Sequence, residues 1–272
     1  MRDEGTVKKS YLLEMTWEEF RDLVDEKTVM LVPMGSTELE GPHLPLGVDT
    51  IVAEGIAQRL CGEDGVVIGP TLPVGYSKWF GAFPGTISLE QETLTEVLSE
   101  YCACLFGHGI RRILFLNSHR GNNACIDHVA RTLVLQQPVR VAMLSIWKAA
   151  NDLIAGNDLI AEGTFTHAGE VMTSVILALR PDLVDNSKIQ PDIAKSPEGS
   201  GFRVKNSLGE TEFQGSIQML YQHIRDVTET GVFGDPTTAS AEKGEQVLNL
   251  ITDYAKAFLR EFRTLPIAKK RK

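Results

Sequence analysis

The stretch GSTELEGPHLPLGVD, which begins at Gly35, concentrates side chains that can bind a metal ion. It contains Glu38, Glu40, His43 and Asp49 among glycines and prolines, which interrupt regular secondary structure. Carboxylates and imidazoles bind zinc, manganese or iron, and a glycine-rich turn lets such side chains converge. Glu38 and Glu40 are two residues apart, so on an extended backbone they emerge on one face. This pattern favours a metal site, and the alternative interpretation is an acidic, solvated loop in which His43 packs against prolines.

A second polar turn supplies another side chain of the same kind. The apolar run that ends at Leu116 is followed by NSHRGNN, which carries His119, and a further helix is predicted after it. An imidazole at this turn would complete a ligand set with Glu38 and Asp49. The two turns together favour a metal site over a solvated loop.

Alternating strand and helix patterns predict how the two turns are positioned. A capping box at Thr16 and Glu19 opens a short helix, and Ser88 with Gln91 is a second capping signal. Apolar runs predict four strands: at 28–34, from residue 65, at 113–116 and in VRVAMLSIW. Helices are predicted near 50–61, from the second capping signal to 107, and at 239–262. This alternation predicts an α/β fold with a largely parallel sheet, in which ligand sites lie beyond the carboxyl ends of the strands.

Composition limits the kind of partner. The 272 residues are predicted to form one domain over 1–272, with residues 186–215 as a polar excursion from the sheet. A formal charge of −9 disfavours nucleic acid and anionic membranes, so the predicted partner is a small molecule. The basic tail at 269–272 is interpreted as a solvated end, and all four cysteines as buried thiols.

Because no apolar run is long enough to span a bilayer, the predicted location is cytoplasmic.

Five sequence blocks carry a resemblance to a known family. GSTELEGPHLPLGVD resembles GSxEQHGPHLPLGTD of the creatininase family, and NSHRGNN resembles the family's NGHGGN. FPGTISL at Phe83, HAGEVMTSVILALRPDLV at His167 and GVFGDP at Gly231 are similar to further family blocks in the same order. The resemblance implies a single three-layer α/β domain and a metal-dependent hydrolase, assembled as a homo-oligomer, by family resemblance a hexamer.

The resemblance also implies roles for individual residues. Glu38, Asp49 and His119 match the ligands of one divalent ion (zinc, manganese or iron), and Glu40 is a further candidate ligand. His167 resembles the catalytic histidine. Glu170 either orients His167 or favours the start of the helix that follows it.

Three departures from the family pattern bear on the number of ions. Glu40 replaces the histidine of EQH, Met172 replaces the glutamate of HAGExE, and Gly121 stands where creatininase itself has a carboxylate. Because a thioether is a poor ligand for zinc or manganese, we predict one well-formed site and a second that is weakened or absent. Glu40 is then expected to contact the first ion or to hold its water.

The substrate-binding candidates are Ser77, Trp79 and Arg120. Ser77 matches a serine that meets substrate in creatininase, and its alternative interpretation is a turn residue. Trp79 replaces a family glutamate and could instead fill the core. The predicted reaction is hydrolysis of a C–N bond in an amide or cyclic amide by metal-activated water. The alternatives are a hydrolase that opens a carbocyclic diketone of the inosose type and a catalytically silent, metal-binding relative.

Overall fold

The computed structural model describes residues 9–156, 158–161 and 165–267. The first eight residues and the last five, which include the basic tail, lie outside these ranges. The assignment of 1–272 to one domain stays a prediction.

A parallel sheet of four strands forms the centre of the fold. Its order is β2-β1-β3-β4, with β1 Val29–Met34, β2 Val66–Ile68, β3 Arg112–Asn117 and β4 Arg140–Ser145. The chain leaves β1 toward one side for β2 and then returns to the other side for β3. At the carboxyl ends of these central strands, Met34 lies opposite Asn117. This point is a topological switch point, where open α/β sheets bind their ligands.

Helices cover both faces of the sheet, as the sequence predicted. They are α1 Trp17–Leu23, α2 Val48–Arg59, α3 Gln91–Gly107, α4 Asn123–Gln136, α5 Ile146–Ile154, α6 Glu170–Leu179 and α8 Ala241–Thr264, with a short α7 at Ile224–Val227. Alternate residues of β1 face opposite sides. Val29 and Leu31 pack in the core with α2, α5, α6 and α8, whereas Met30 and Val32 pack in the core with α3 and α4. The α/β prediction is confirmed.

The polar excursion contains a small second sheet. Its antiparallel strands are β5 Arg203–Val204, β6 Glu210–Phe213 and β7 Ser216–Met219. The excursion therefore extends four residues beyond the predicted end at 215, to Met219. The start of β6 is joined to the loop after β3 by an ion pair between Glu210 and Arg120.

One predicted helix cap is confirmed and one is wrong. The Thr16 side chain accepts from the Glu19 amide, and the Glu19 side chain accepts from the Thr16 amide. The residue before α3 is Glu90, whose side chain makes no cap hydrogen bond. The Ser88 hydroxyl instead accepts from the Ser77 amide at 2.8 Å. The Ser88 oxygen thus bonds to a residue of the preceding loop and does not cap α3.

The burial of the cysteines differs in part from the sequence-based expectation. Only Cys102 and Cys125 are buried, whereas Cys61 and Cys104 are exposed. Cys102 and Cys104 share one helix, where a spacing of two places them on different sides. In the described residues, no helix has the length and hydropathy needed to cross a membrane.

Candidate metal centre

The loop after β1 and the start of α2 bring the first candidate ligands together. The Glu38 amide donates to the Leu46 carbonyl at 2.9 Å, which folds the loop back on itself. Asp49 belongs to the first turn of α2 rather than to the loop. A carboxylate at this position is favoured by the free amides and the dipole of the helix N-terminus.

Glu38, Asp49 and His119 form one buried group with the ligand types of a metal site. One potential ligand atom from each lies within 4.8 Å of the others. His119 Nδ1 is 3.0 Å from Asp49 Oδ2, and His119 Nε2 is 2.9 Å from the carbonyl oxygen of Tyr76. Because a carbonyl can only accept, Nε2 carries a proton. In the protonated ring Nδ1–H donates to Asp49 Oδ2, and in the neutral ring Nδ1 is the nitrogen that could bind an ion.

Neighbouring side chains fix the orientation of Asp49. The indole Nε1 of Trp147 donates to Asp49 Oδ1 at 2.7 Å, and the Ser36 hydroxyl donates to Oδ2 at 2.9 Å. Hydrogen bonds of this kind hold a ligating carboxylate in one rotamer and reduce the entropy lost on ion binding.

A second buried group shares Glu38 and adds Glu40 and His167. Glu40 Oε2 lies 3.3 Å from His167 Nε2, which is also 3.0 Å from the Leu39 carbonyl oxygen. The His167 ring stacks on Phe80, with 4.6 Å between centroids. The structure thus places Glu40 beside His167, whereas the sequence analysis expected it at the first ion.

Two carboxylates of these groups, Glu38 and Glu40, are buried without sufficient hydrogen bonds. Glu38 Oε2 and both carboxylate oxygens of Glu40 make none. Burial raises the pKa of Glu38 to about 7, although nearby His119 opposes this, and burial raises the pKa of Glu40 well above its ordinary value. Buried carboxylates require a positive partner, so the residues present fit a bound cation.

The pKa values of the two histidines shift in opposite directions. Burial alone would lower the pKa of His119, but Glu38 and Asp49 outweigh it and raise this pKa to about 9. His119 is therefore the group that carries positive charge among these carboxylates when no ion is bound. Burial lowers the pKa of His167 to about 4, which keeps its imidazole neutral at pH 7.

A cavity of about 560 Å³ opens onto the first group. Glu38, Asp49, His119 and His167 line it. Glu40 is completely buried and is not among the lining residues that the structure describes. A molecule in the cavity therefore has access to the first group, while Glu40 lies behind the wall.

Of the three substrate-binding candidates, only Arg120 lines the cavity. Ser77 is buried, and its hydroxyl oxygen lies 3.3 Å from His119 Nε2. Trp79 packs against the cluster that includes Phe80, and Phe80 is the aromatic residue in the cavity wall. Lys78–Phe80 is a 3-10 helix, in which neighbouring side chains point about 120° apart, so only one of the two aromatic side chains faces the cavity.

Glu170 and His43 have structural contacts outside the first group. Glu170 is completely buried, begins α6 and forms an ion pair with Lys243 of α8. His43 Nε2 is 2.8 Å from the Thr173 hydroxyl oxygen. These contacts join the functional loops to α6 and α8.

Comparison with known proteins identifies the family. The model of the creatininase family, described as creatinine amidohydrolase, matches residues 13–259. The chain belongs to the creatininase family. It is 29% identical over 273 residues to the creatinine amidohydrolase of Pseudomonas putida, which covers 94% of this chain and 98% of that protein. A solved structure named creatininase Mn superposes with a TM-score of 0.77 at 28% identity, covering 95% of this chain and 100% of the other.

Other relatives carry different names. A mycofactocin precursor peptide peptidase of Mycobacterium tuberculosis is 30% identical over 237 residues, with 82% of this chain and 81% of that protein covered. A 3-dehydro-scyllo-inosose hydrolase of Thermotoga maritima is 26% identical over 266 residues, with coverage of 92% and 83%. The enzyme prediction is confirmed at this level: the chain is a hydrolase of the creatininase family.

In this creatininase-family hydrolase, two of the sequence departures have a structural basis. A Cβ at Gly121 would lie 2.2 Å from the Tyr76 carbonyl oxygen and 2.4 Å from His119 Nε2, so a carboxylate at this position would displace the histidine. The Met172 sulfur accepts from the Ala168 amide at 3.1 Å and lines the cavity. Both departures make the region near the first group less acidic.

Sequence reasoning missed several residues of the site. Trp147 was interpreted only as part of a strand, and the contribution of Ser36 was not recognised. Trp147 lies two residues beyond the end of β4, which is a signal that could have identified it, because ligand sites lie at such ends. The second group was missed because no local pattern indicates that Glu40 and His167 meet.

Proposed function

We propose that this protein uses one divalent ion, bound by Glu38, Asp49 and His119, to hydrolyse a C–N bond in a small polar amide or cyclic amide. The observation that carries the proposal is the buried Glu38 Oε2, which makes no hydrogen bond and lies 3.3 Å from His119 Nε2, in a group that opens onto a cavity. Zinc, manganese or iron at this group would lower the pKa of a bound water and polarise a substrate carbonyl.

Contacts within the protein hold the ligands of the first group in place before an ion binds. Trp147 and Ser36 hold the Asp49 carboxylate, and the Tyr76 carbonyl favours the His119 tautomer with a lone pair on Nδ1. Removing such supporting contacts costs metalloenzymes about 10- to 100-fold in affinity or activity.

We assign proton transfer to His167. Its Nε2–H donates to the Leu39 carbonyl, which leaves Nδ1 as the basic nitrogen. Because burial keeps the imidazole neutral at pH 7, it can accept a proton during attack and return it to the departing nitrogen. The Glu170–Lys243 pair acts at a distance, by holding the start of α6 three residues after His167.

The cavity favours a small substrate. Its volume of about 560 Å³ lies within the range of small-molecule sites. Arg120 is the proposed substrate-binding residue that lies in the wall. We interpret Ser77 as a residue that supports His119, and Trp79 as a residue that packs behind Phe80.

A second candidate reaction is the opening of a carbocyclic diketone. The Thermotoga maritima relative named 3-dehydro-scyllo-inosose hydrolase favours it. The substrate carbonyl and the water would use the same residues, so the distinction lies in the bond that breaks. An inosose-type diketone and creatinine, tested in parallel, separate the two candidates.

Elemental analysis of protein purified without chelator is the first test. We expect about one zinc, manganese or iron ion per chain, since all three residues of the first group line the cavity, whereas Glu40 of the second group lies behind its wall. Activity on a panel of small cyclic and linear amides should disappear on chelation and return with the metal. Protein without metal after reconstitution would refute the proposal. The cytoplasmic location and the homo-oligomer, by family resemblance a hexamer, stay predictions.

A further inference from the structure

The turn from β5 to β6 forms part of the wall of the cavity that contains the candidate metal group. Lys205, Asn206, Ser207 and Leu208 all line this cavity. The excursion from the sheet therefore contributes directly to the space that a substrate would occupy.

Hydrogen bonds hold this turn in one conformation. The Asn206 side-chain oxygen accepts from the amides of Leu208 at 3.0 Å and Glu210 at 3.2 Å. The Lys205 amide donates to the Glu210 carbonyl at 2.8 Å. The backbone of Lys205 is thus fixed, although its side chain is exposed.

An ion pair joins the turn to the His119 loop. Arg120, the residue after His119, pairs with the Glu210 carboxylate, which also accepts from the Asn206 amide group at 2.7 Å. The position of Lys205 is therefore coupled to the loop that carries a candidate ligand.

Lys205 differs from the other lysine and arginine residues of the cavity wall. Arg120 pairs with Glu210, and Lys148 pairs with Asp152. Across residues 9–156, 158–161 and 165–267, no ion pair or hydrogen bond engages the Lys205 ammonium. It is the cation of the wall that remains available to a ligand.

We propose that Lys205 binds a carboxylate of the substrate, so that the substrate is an acidic amide such as an N-acyl amino acid. This inference rests on the proposed function and deepens it by naming a substrate class. A hydrogen bond between an ammonium and a carboxylate at a partly enclosed site corresponds to roughly a tenfold preference over a neutral isostere.

Two probes that differ in one group test the proposal: N-acetylglycine and its neutral isostere N-acetylglycinamide. Their dissociation constants are measured by calorimetry with the metal-loaded wild type, Lys205→Met and a control, Lys195→Met. Lys195 lies on the same excursion, pairs with Glu229 and is not among the described lining residues. We expect N-acetylglycine to bind the wild type and Lys195→Met about tenfold more tightly than the amide, and Lys205→Met to bind both equally.

Several results would overturn the assignment. A preference for the carboxylate that survives in Lys205→Met would place the carboxylate on the metal. Equal binding of both probes by the wild type, or binding of neither, would also contradict it. Repeating the titration with chelator-treated protein separates this inference from the proposed function, because the preference that depends on Lys205 does not need the ion.

Discussion

At the scale of single residues, the shared property of the site is carboxylate burial without enough hydrogen bonds. Glu38 and Glu40 are 2% and 0% exposed, yet three of their four oxygens make no hydrogen bond. A structural role alone does not account for this arrangement, since buried carboxylates are costly unless paired. A cation gives it a physical reason.

Replacing His119 should remove the ion. In His119→Ala the first group loses its only nitrogen ligand, so we expect the metal content to fall from about one per chain to below about a tenth. His43→Gln is the matched control, because His43 contacts Thr173 and not the first group. Metal content near the wild-type level in His119→Ala, measured by elemental analysis, would show that the ligands are misassigned.

Gly121 should tolerate no side chain. The Cβ of Gly121→Ala would approach Tyr76 and His119, so the histidine must shift. We expect metal affinity to fall about 10- to 100-fold, as it does when supporting contacts of a ligand are lost. Competition with a chromogenic chelator measures this. Gly47→Ala is the control, since nothing lies within 4 Å of the Cβ position there; equal affinities in both variants would contradict the role of Gly121.

At the scale of elements, α6 and α8 hold the HAGE turn. Their buried contact includes the Glu170–Lys243 ion pair, and a Cβ at Gly244 would lie 1.9 Å from the Ser174 carbonyl oxygen. Two helices at this distance leave little freedom to the residues that precede α6. The position of His167 therefore depends on a helix contact remote from the cavity.

Breaking this ion pair should destabilise the fold. Lys243→Met leaves the completely buried Glu170 carboxylate without its ammonium, and we expect a loss of about 3 kcal/mol in the free energy of unfolding. The double variant Lys243→Met with Glu170→Gln should recover part of the lost free energy of unfolding.

Lys148→Met removes an exposed pair with Asp152 and should change the free energy of unfolding by less than about 1 kcal/mol. Urea denaturation measures all three variants. Equal stability of Lys243→Met and Lys148→Met would exclude a structural role for the buried pair.

Helix caps and strands differ in how far they can be predicted from the sequence. The Thr16 capping box was predicted correctly because both partners lie within one turn. The strands of the sheet were predictable because each is an apolar run followed by a polar turn. Ser88 was misassigned because its partner, the Ser77 amide, comes from a loop eleven residues earlier. The meeting of Glu40 with His167 depends on long-range packing in the same way.

At the scale of the whole molecule, buried neutral histidines make a contribution to the stability of the metal-free protein that acid removes, and the raised pKa values of Glu38 and Glu40 act in the opposite direction. Burial lowers the pKa of His43 from 6.5 to about 4. Between these values His43 binds more protons in the unfolded chain than in the native protein, so its contribution to stability falls as pH decreases from about 6.5 and is lost completely below about 4.

The His43 contribution can be isolated by comparison with a variant. Relative to His43→Gln, the wild type should lose on the order of 2–3 kcal/mol between pH 7 and 4. Urea unfolding of chelator-treated protein across this range measures the difference. Parallel pH profiles for the two proteins would show that His43 is not buried in its neutral form.

The pairing of β1 with β3 also has a consequence for folding kinetics. These strands are adjacent in the sheet, but α2, β2 and α3 separate them along the chain. Such non-local pairing forms slowly, and Glu38 approaches His119 only once it has formed. Contacts that form after the rate-limiting barrier change the unfolding rate far more than the folding rate. A divalent ion should therefore prolong the lifetime of the native state while hardly accelerating its formation.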